Sequence, residues 1–396
     1  MQNSLRNTYL VNVLALVGIG VVMVFSSSAI SVLPGSDADA FVFIKRHLIF
    51  LGLGLGAMAL LARMDYHTIA KLATPIYLLG LVLLVLTLVP GIGTKYNGAS
   101  RWIRFGGVGI QPSDYAKFAL IIASAAFGAA RRAELGSFTK GFIPACLFIG
   151  AYSVVTMAQP DLGTSLFLGL TGFLVLLAAG LRPRHLMIVG LILLPLAAGV
   201  MFVKFEHVKE RVFTFLDPDA DPQGKGHQIK QSMIAIGSGG FEGDGLGQST
   251  QKLYYLPEQE TDFIFAVLAE ETGFIGAAFT LFLFGTLMIL GIRVSARAPD
   301  ALGSLLALGV TASIGIQACM NIAVVTASVP TKGIGLPFVS FGGSGCFFYL
   351  CSVGVALSVA RQAVSPQRAE QLMQEEAKAV RMETLRQSLR ARPMPA

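Results

Sequence analysis

Charge is what this sequence has least of. Only 13% of its 396 residues are Asp, Glu, Lys or Arg, about half the share of a soluble globular domain. A chain so poor in charge cannot cover a water-facing surface, which excludes an ordinary soluble enzyme. Cysteine is equally sparse: Cys146, Cys319, Cys346 and Cys351 lie in apolar runs without CxxC spacing, so neither a disulfide framework nor a thiolate metal site is expected. His47, His67, His185, His207 and His227 are scattered and offer no zinc-ligand spacing. Gly237-Ser238-Gly239-Gly240 has no Gly-Lys-Ser/Thr after it and is no phosphate loop. The net charge of +7 reads as basic flanks that hold helix ends against anionic headgroups, and no nucleic-acid partner is expected.

Apolar residues make up 54% of the chain and gather in long runs. Ten spans are expected, at 9–32, 47–62, 72–90, 113–130, 141–158, 162–180, 186–203, 263–292, 302–329 and 337–360. Runs of this kind can cross a hydrocarbon core about 30 Å thick as helices, and a bilayer leaves such runs no other choice. The fold expected is therefore all-α and polytopic, with about ten transmembrane helices and a large extracytoplasmic loop between the seventh and eighth. The first run is too long for a cleavable leader and is expected to stay. Lys and Arg concentrate in the loops that would be inside if the N-terminus is cytoplasmic, among them Arg63, Arg131, Arg132, Arg182, Arg184, Arg293 and Arg297. That bias predicts both termini in the cytoplasm. One membrane domain is expected over 1–360, followed by a polar cytoplasmic tail over 361–396, read as a frayed amphipathic helix or disorder.

The loop at 204–262 is long enough to be functional. Residues 205–212 read as a charged extension of the seventh span. Ile229, Met233 and Ile236 recur at helical spacing and predict a short amphipathic helix that could lie on the membrane surface. Six glycines between Gly237 and Gly247 let the backbone there approach a partner or ligand closely.

Polar residues near or inside the runs are the candidates for chemistry, because ionisable groups at membrane depth tend to face a cavity. Asp114 and Lys117 share a helix face and can pair. Asp161 stands between the fifth and sixth spans. Counted along a helix from Asp262, Glu270 returns toward the same face and Glu271 falls opposite; Glu270 is expected to share a cavity with Asp262, and Glu271 to tie the helix to a neighbour. Either acid could equally serve only to lock helices together. Asp262 itself reads as a helix N-cap or as a general base at a cavity mouth. Lys45, Arg46, Arg101, Arg104, Lys252 and Lys332 come from separate loops; they are headgroup anchors or a cradle for a pyrophosphate. Trp102, the only tryptophan, is an interfacial anchor or a platform for a sugar face.

Several motifs occur in an order that resembles one family. They are Asn97 to Ile103; Gln111-Pro112-Ser113-Asp114 with Lys117; Gln159 to Thr164; Gly245 to Leu253; Leu256 to Ala266; and Pro330 to Ser344. Together they are similar to the SEDS proteins of shape, elongation, division and sporulation, over roughly residues 9–360. Pro330-Thr331-Lys332-Gly333 resembles the division and sporulation branch, typified by FtsW, more than the elongation branch typified by RodA. Asp114 departs from the usual Glu, Glu260 from a frequent His, and Phe341 and Gly345 from Tyr and Ser.

The resemblance implies a polymerase that joins lipid-linked disaccharide-peptide (lipid II) into peptidoglycan strands at the outer membrane face. The family's catalytic aspartate falls on Asp262. Arg101, Trp102, Arg104, Gln111, Lys117, Asp161, Lys252, Glu258, Glu270, Lys332 and Ser340 are the expected substrate-binding residues. No cofactor is certain, and a divalent cation (magnesium or manganese) could assist. Expected partners are lipid II, a polyprenyl-pyrophosphate-linked glycan strand, a class B penicillin-binding transpeptidase and other division or elongation proteins. The rival readings are a transporter that flips the lipid-linked precursor and a non-catalytic division scaffold.

Overall fold

The computed structural model describes residues 2–28, 42–96, 99–105, 108–204, 206–217, 221, 224–251 and 257–390. The ten apolar runs form helices α1 (Gln2–Ser28), α2 (Val42–Arg63), α4 (Ala73–Leu86), α5 (Pro112–Ala130), α6 (Ile143–Ala158), α7 (Leu162–Ala179), α8 (Pro183–Lys204), α11 (Ile264–Ala296), α12 (Ala301–Val325) and α13 (Gly343–Gln362). Between α2 and α4 lies a short α3 (Tyr66–Lys71), and a π-helical turn (Phe138–Phe142) leads into α6. Seven of the described helices are long and apolar enough to cross a membrane: α1, α2, α6 with its π turn, α7, α11, α12 and α13. Among the other three, α4 is apolar but shorter, and α5 carries Asp114 and Lys117 at its start. The chain is thus an all-α, multi-pass membrane protein.

The arrangement follows from which helices are apolar all round. Tyr349 to Ala360 of α13 are buried without a break, so α13 is an interior helix. It packs on α2, α12, α5, α1 and α11. Helix α5 is similarly enclosed by α4, α7 and α12. The outer helices instead present Leu147, Val154, Met187, Leu191, Phe279 and Phe282 outward, as lipid contact requires. At the end opposite the site described below, Asp300 caps α12 by accepting from Gly303 N at 2.7 Å. The tail forms α14 (Pro366–Arg390), and Glu376 accepts from Ala301 N at 3.1 Å. The described part of the tail is therefore one helix docked at the start of α12.

One segment departs from the sequence expectation. The segment between α4 and α5 is a three-stranded antiparallel meander, β1 (Gly93–Tyr96), β2 (Ala99–Phe105) and β3 (Val108–Ile110), ordered β1-β2-β3. The loop after α8 holds α9 (Glu206–Leu216) and α10 (Lys225–Ser238). Helix α10 buries Ile229, Ser232 and Ala235 against α11 and α12, while Met233 and Ile234 are exposed. Its inward face is polar as well as apolar: Ser232 Oγ donates to Val325 O at 2.7 Å.

The glycine-rich stretch does come close to a partner, and the partner is α11. Gly273 has φ +64° and ψ −166°, which breaks α11 one third of the way along. The break strips carbonyls of Glu270 and Glu271 and amides of Phe274 and Ile275 of helical partners. The loop supplies replacements: Asp244 N donates to Glu270 O (3.0 Å), Gly245 N to Glu271 O (3.0 Å), Phe274 N to Gly240 O (3.0 Å) and Ile275 N to Phe241 O (3.3 Å). A side chain at Gly243 (φ +83°) would put its Cβ 2.4 Å from Glu271 O, so only glycine fits.

Candidate active site

A cavity of about 410 Å³ opens where the meander, the starts of α5, α7 and α11, the end of α12 and the 331–345 segment meet. Asp262 lines it. Its turn is knotted on one carbonyl, since Thr261 N, Asp262 N and Phe263 N all donate to Glu258 O at 3.2, 3.0 and 3.3 Å. Helix α11 starts only at Ile264, with Phe263 as its cap residue and no side-chain cap bond. Asp262 is therefore not the N-cap, and its carboxylate faces the cavity.

The 331–341 segment forms the facing wall. Phe341 N donates to Glu260 O at 2.8 Å, and Gln317 Nε2 to Gly335 O at 2.9 Å. Gly333 runs so close that an added Cβ would lie 3.2 Å from Asp262 Oδ2. Ser340 lines the cavity and accepts from Leu336 N at 2.6 Å, closing its own loop. Lys332 stands beside Gly333 in the same wall.

Arg101, Arg211 and Lys332 line the cavity with this carboxylate. Arg101, on β2, donates through Nη2 to Pro160 O at 2.6 Å and pairs with Asp161 at 3.5 Å. Asp161 caps α7, accepting from Thr164 N (3.2 Å) and Thr164 Oγ1 (2.9 Å); it holds Arg101 from behind and is not part of the wall. Arg211, from α9, is the third cation with Lys332. Burial pushes the Asp262 carboxyl up from 3.8 to about 7, with Glu258 and Asp161 adding to the rise and Arg211 and Arg101 opposing it. Burial likewise lowers Arg211 and Lys332, and each is lowered further by a neighbouring cation.

Deeper in, a polar chain crosses the cavity floor. Lys117 Nζ donates to Asp114 Oδ1 (3.2 Å) and Gln317 Oε1 (3.1 Å), Ser344 Oγ to Asp114 Oδ2 (2.8 Å), Gln111 N to Ser344 Oγ (3.2 Å), and Tyr349 OH to Gln317 Oε1. The expected Asp114–Lys117 pairing is present despite the shorter acid.

The structure thus brings Arg101, Trp102, Gln111, Lys117, Glu258, Asp262, Lys332 and Ser340 to one cavity. It leaves others outside the wall. Arg104 is exposed on β2, and Lys45 and Arg46 are exposed on α2. Lys252 lies outside the described residues. Glu270 is fully buried beyond the cavity and accepts from Ser249 Oγ, Thr250 N (2.9 Å), Thr250 Oγ1 (3.0 Å) and Gln251 N (3.2 Å). It anchors the segment before the 258–263 turn and does not share a cavity with Asp262. Glu271 does tie α11 to a neighbour, accepting from Ser26 Oγ of α1 at 2.7 Å. Arg211, Gln228, Thr331 and Gln317 were not foreseen as wall residues.

A family model described as cell cycle protein, covering FtsW, RodA and SpoVE, matches residues 7–365. Stage V sporulation protein E of Bacillus subtilis is 43% identical over 88% of this chain and 94% of its own length. A probable peptidoglycan glycosyltransferase FtsW from a Geobacter species is 44% identical over 86% of this chain and 92% of its own. Among solved structures, a peptidoglycan synthase complex, described as coordinating polymerization and crosslinking, is similar with TM-score 0.73 and 28% identity over 89% of this chain and 97% of that one. The rod shape determining protein RodA of Thermus thermophilus has TM-score 0.65 and 28% identity over 90% of this chain and 97% of that one.

Proposed function

The chain belongs to the FtsW/RodA/SpoVE family of cell cycle proteins, and from that premise we propose that it is a peptidoglycan glycosyltransferase polymerising lipid II, with Asp262 as its base. One observation carries the reading: the Asp262 carboxyl, raised to about 7, lines one cavity together with Arg101, Arg211 and Lys332. A base with that value is half deprotonated at neutral pH and still basic enough to accept an alcohol proton.

In the reaction, the growing strand on its polyprenyl pyrophosphate is the donor and the 4-hydroxyl of an incoming lipid II is the acceptor. Asp262 takes the hydroxyl proton as the oxygen bonds to the donor's anomeric carbon, and the carbon–oxygen bond to the diphosphate breaks with inversion. Arg101, Arg211 and Lys332 meet the charge that develops on the leaving diphosphate. Trp102 offers a ring face to a sugar. Gln111 and Lys117, deeper in, and Ser340 on the 331–341 wall supply hydrogen bonds to substrate oxygens.

Among the described residues no three His, Cys, Asp or Glu side chains converge as metal ligands. Asp262 and Glu258 are neighbouring carboxylates and are the residues that would hold a magnesium ion. Such an ion would add charge neutralisation at the leaving group.

The cavity opens to the extracytoplasmic side and both termini lie in the cytoplasm, a reading supported by the Lys and Arg bias of the loops. The role is in division, as the Pro330-Thr331-Lys332-Gly333 sequence and the FtsW-named relatives favour. A class B transpeptidase partner follows from the need to cross-link the strands. Purified protein with lipid II should form glycan strands, and Asp262→Asn should abolish them while staying folded. Strand formation by that variant would remove Asp262 from the chemistry, and lipid II movement across liposomes without polymerisation would favour the transporter.

A further inference from the structure

Two separate loops must stay in register for this site to work: the 258–263 turn that carries Asp262 and the 331–341 segment that carries Lys332. Besides the Phe341 N–Glu260 O bond, one side chain joins them. Asn321, fully buried in the last turns of α12, donates from Nδ2 to Asp262 O at 2.7 Å and to Ile334 O at 2.7 Å. Both neighbours are carbonyls and can only accept, so the amide nitrogen must face them, and the two N–H groups are both used. Its Oδ1 is left buried without a hydrogen-bond partner.

We propose that Asn321 is a positioning residue that fixes the separation between the base Asp262 and the cationic Lys332. This rests on the reading of Asp262 as base. Asn321 does not line the cavity and touches the reaction only through the two backbones it holds. Gly333, which runs close to the Asp262 carboxylate, lies between the clamped Ile334 and Lys332, so a slip of this loop shifts the cation relative to the carboxylate. Small displacements matter here, because a misplacement of about 1 Å can cost about 100-fold in rate.

The test uses the full-length protein in proteoliposomes with lipid II. Asn321→Leu keeps the side-chain shape and removes both donors. The expected result is a kcat about 100-fold lower with KM within about twofold. Combined with Lys332→Met, the total loss should fall well short of the product of the two single losses, because residues acting as a unit are non-additive. A purely structural role predicts losses that multiply. Should Asn321→Leu fail to fold, Asn321→Asp (shape kept, donors lost) and Asn321→Gln (donors kept, shifted by one methylene) replace it. The clamp requires kcat in the order parent, Gln, Asp. Unchanged kcat in Asn321→Leu, multiplicative losses, or Gln no better than Asp would overturn the proposal. Asp262→Asn run in parallel separates the two readings: if it still polymerises, the base assignment fails; if it is silent while the Asn321 variants keep full kcat, only the clamp fails.

Discussion

Replacing Asp262 by Asn should stabilise the protein, and most of all at the pH where it is most active. The carboxyl is raised from 3.8 to about 7 in the folded chain, mainly by burial and next by Glu258. Between those two values the unfolded chain has lost the proton and the folded chain keeps it, so folding stability falls as pH rises. The loss is complete above about pH 7 and amounts to on the order of 4 kcal/mol at about 1.4 kcal/mol per tenfold. Asn carries no charge at any pH and escapes this penalty. Thermal unfolding in detergent should therefore show a gain for Asp262→Asn of about 4 kcal/mol near pH 8, shrinking to about 1.5 kcal/mol near pH 5. The parent's kcat/KM should rise about tenfold per pH unit below 7 and level off above it, as the base sheds its proton. An equal stability shift at both pH values, or a rate indifferent to pH between 5 and 7, would refute the account of Asp262 as a buried, neutral-pH base.

Arg211→Met should lower kcat about 100-fold and move the midpoint of the pH profile above 7, because Arg211 opposes the rise of Asp262; Arg211→Lys should restore the midpoint. Gly243→Ala should destabilise by about 3 kcal/mol or more in thermal unfolding, from a left-handed alanine and a Cβ driven into the Glu271 carbonyl. Glu270→Ala should cost about 2–4 kcal/mol and open the 204–262 loop to limited proteolysis, since Thr250 N and Gln251 N lose their acceptor. Glu270→Gln, which can still accept from both amides, should lose about half as much.

Much of this was legible in the sequence because a bilayer permits so few solutions. All ten apolar runs became helices, with ends displaced by a few residues. The meander was missed because strands of three to seven residues leave little periodicity. The Asn-Gly dipeptide after Tyr96 is a hairpin signal that could have exposed it. Glu270 was misplaced for a geometric reason: counting helical turns from Asp262 assumes a helix that begins there, and this one begins two residues later. Arg211 was hidden in a charged stretch read as an extension of the seventh span. No local pattern could reveal that α9 turns it toward residues more than a hundred positions away on either side. Asn321, buried in the ninth span, shows itself only when Asp262 and Ile334 are seen side by side. Asp262 itself stood out through its motif context, not through its helix position.

The spliced junction at Gly273 also constrains how the molecule is made. Before the break, Ile264 to Glu271 are enclosed by protein; just after it, Phe274 and Ile275 look outward. Peptide groups laid bare there would be intolerable in hydrocarbon. Helix α11 therefore cannot settle into its final bent form until the preceding loop has arrived to fill the gap. Biogenesis of this span and delivery of the segment that leads to Asp262 are a single event, and a chain whose loop is delayed holds both an unfinished membrane helix and an unformed cavity.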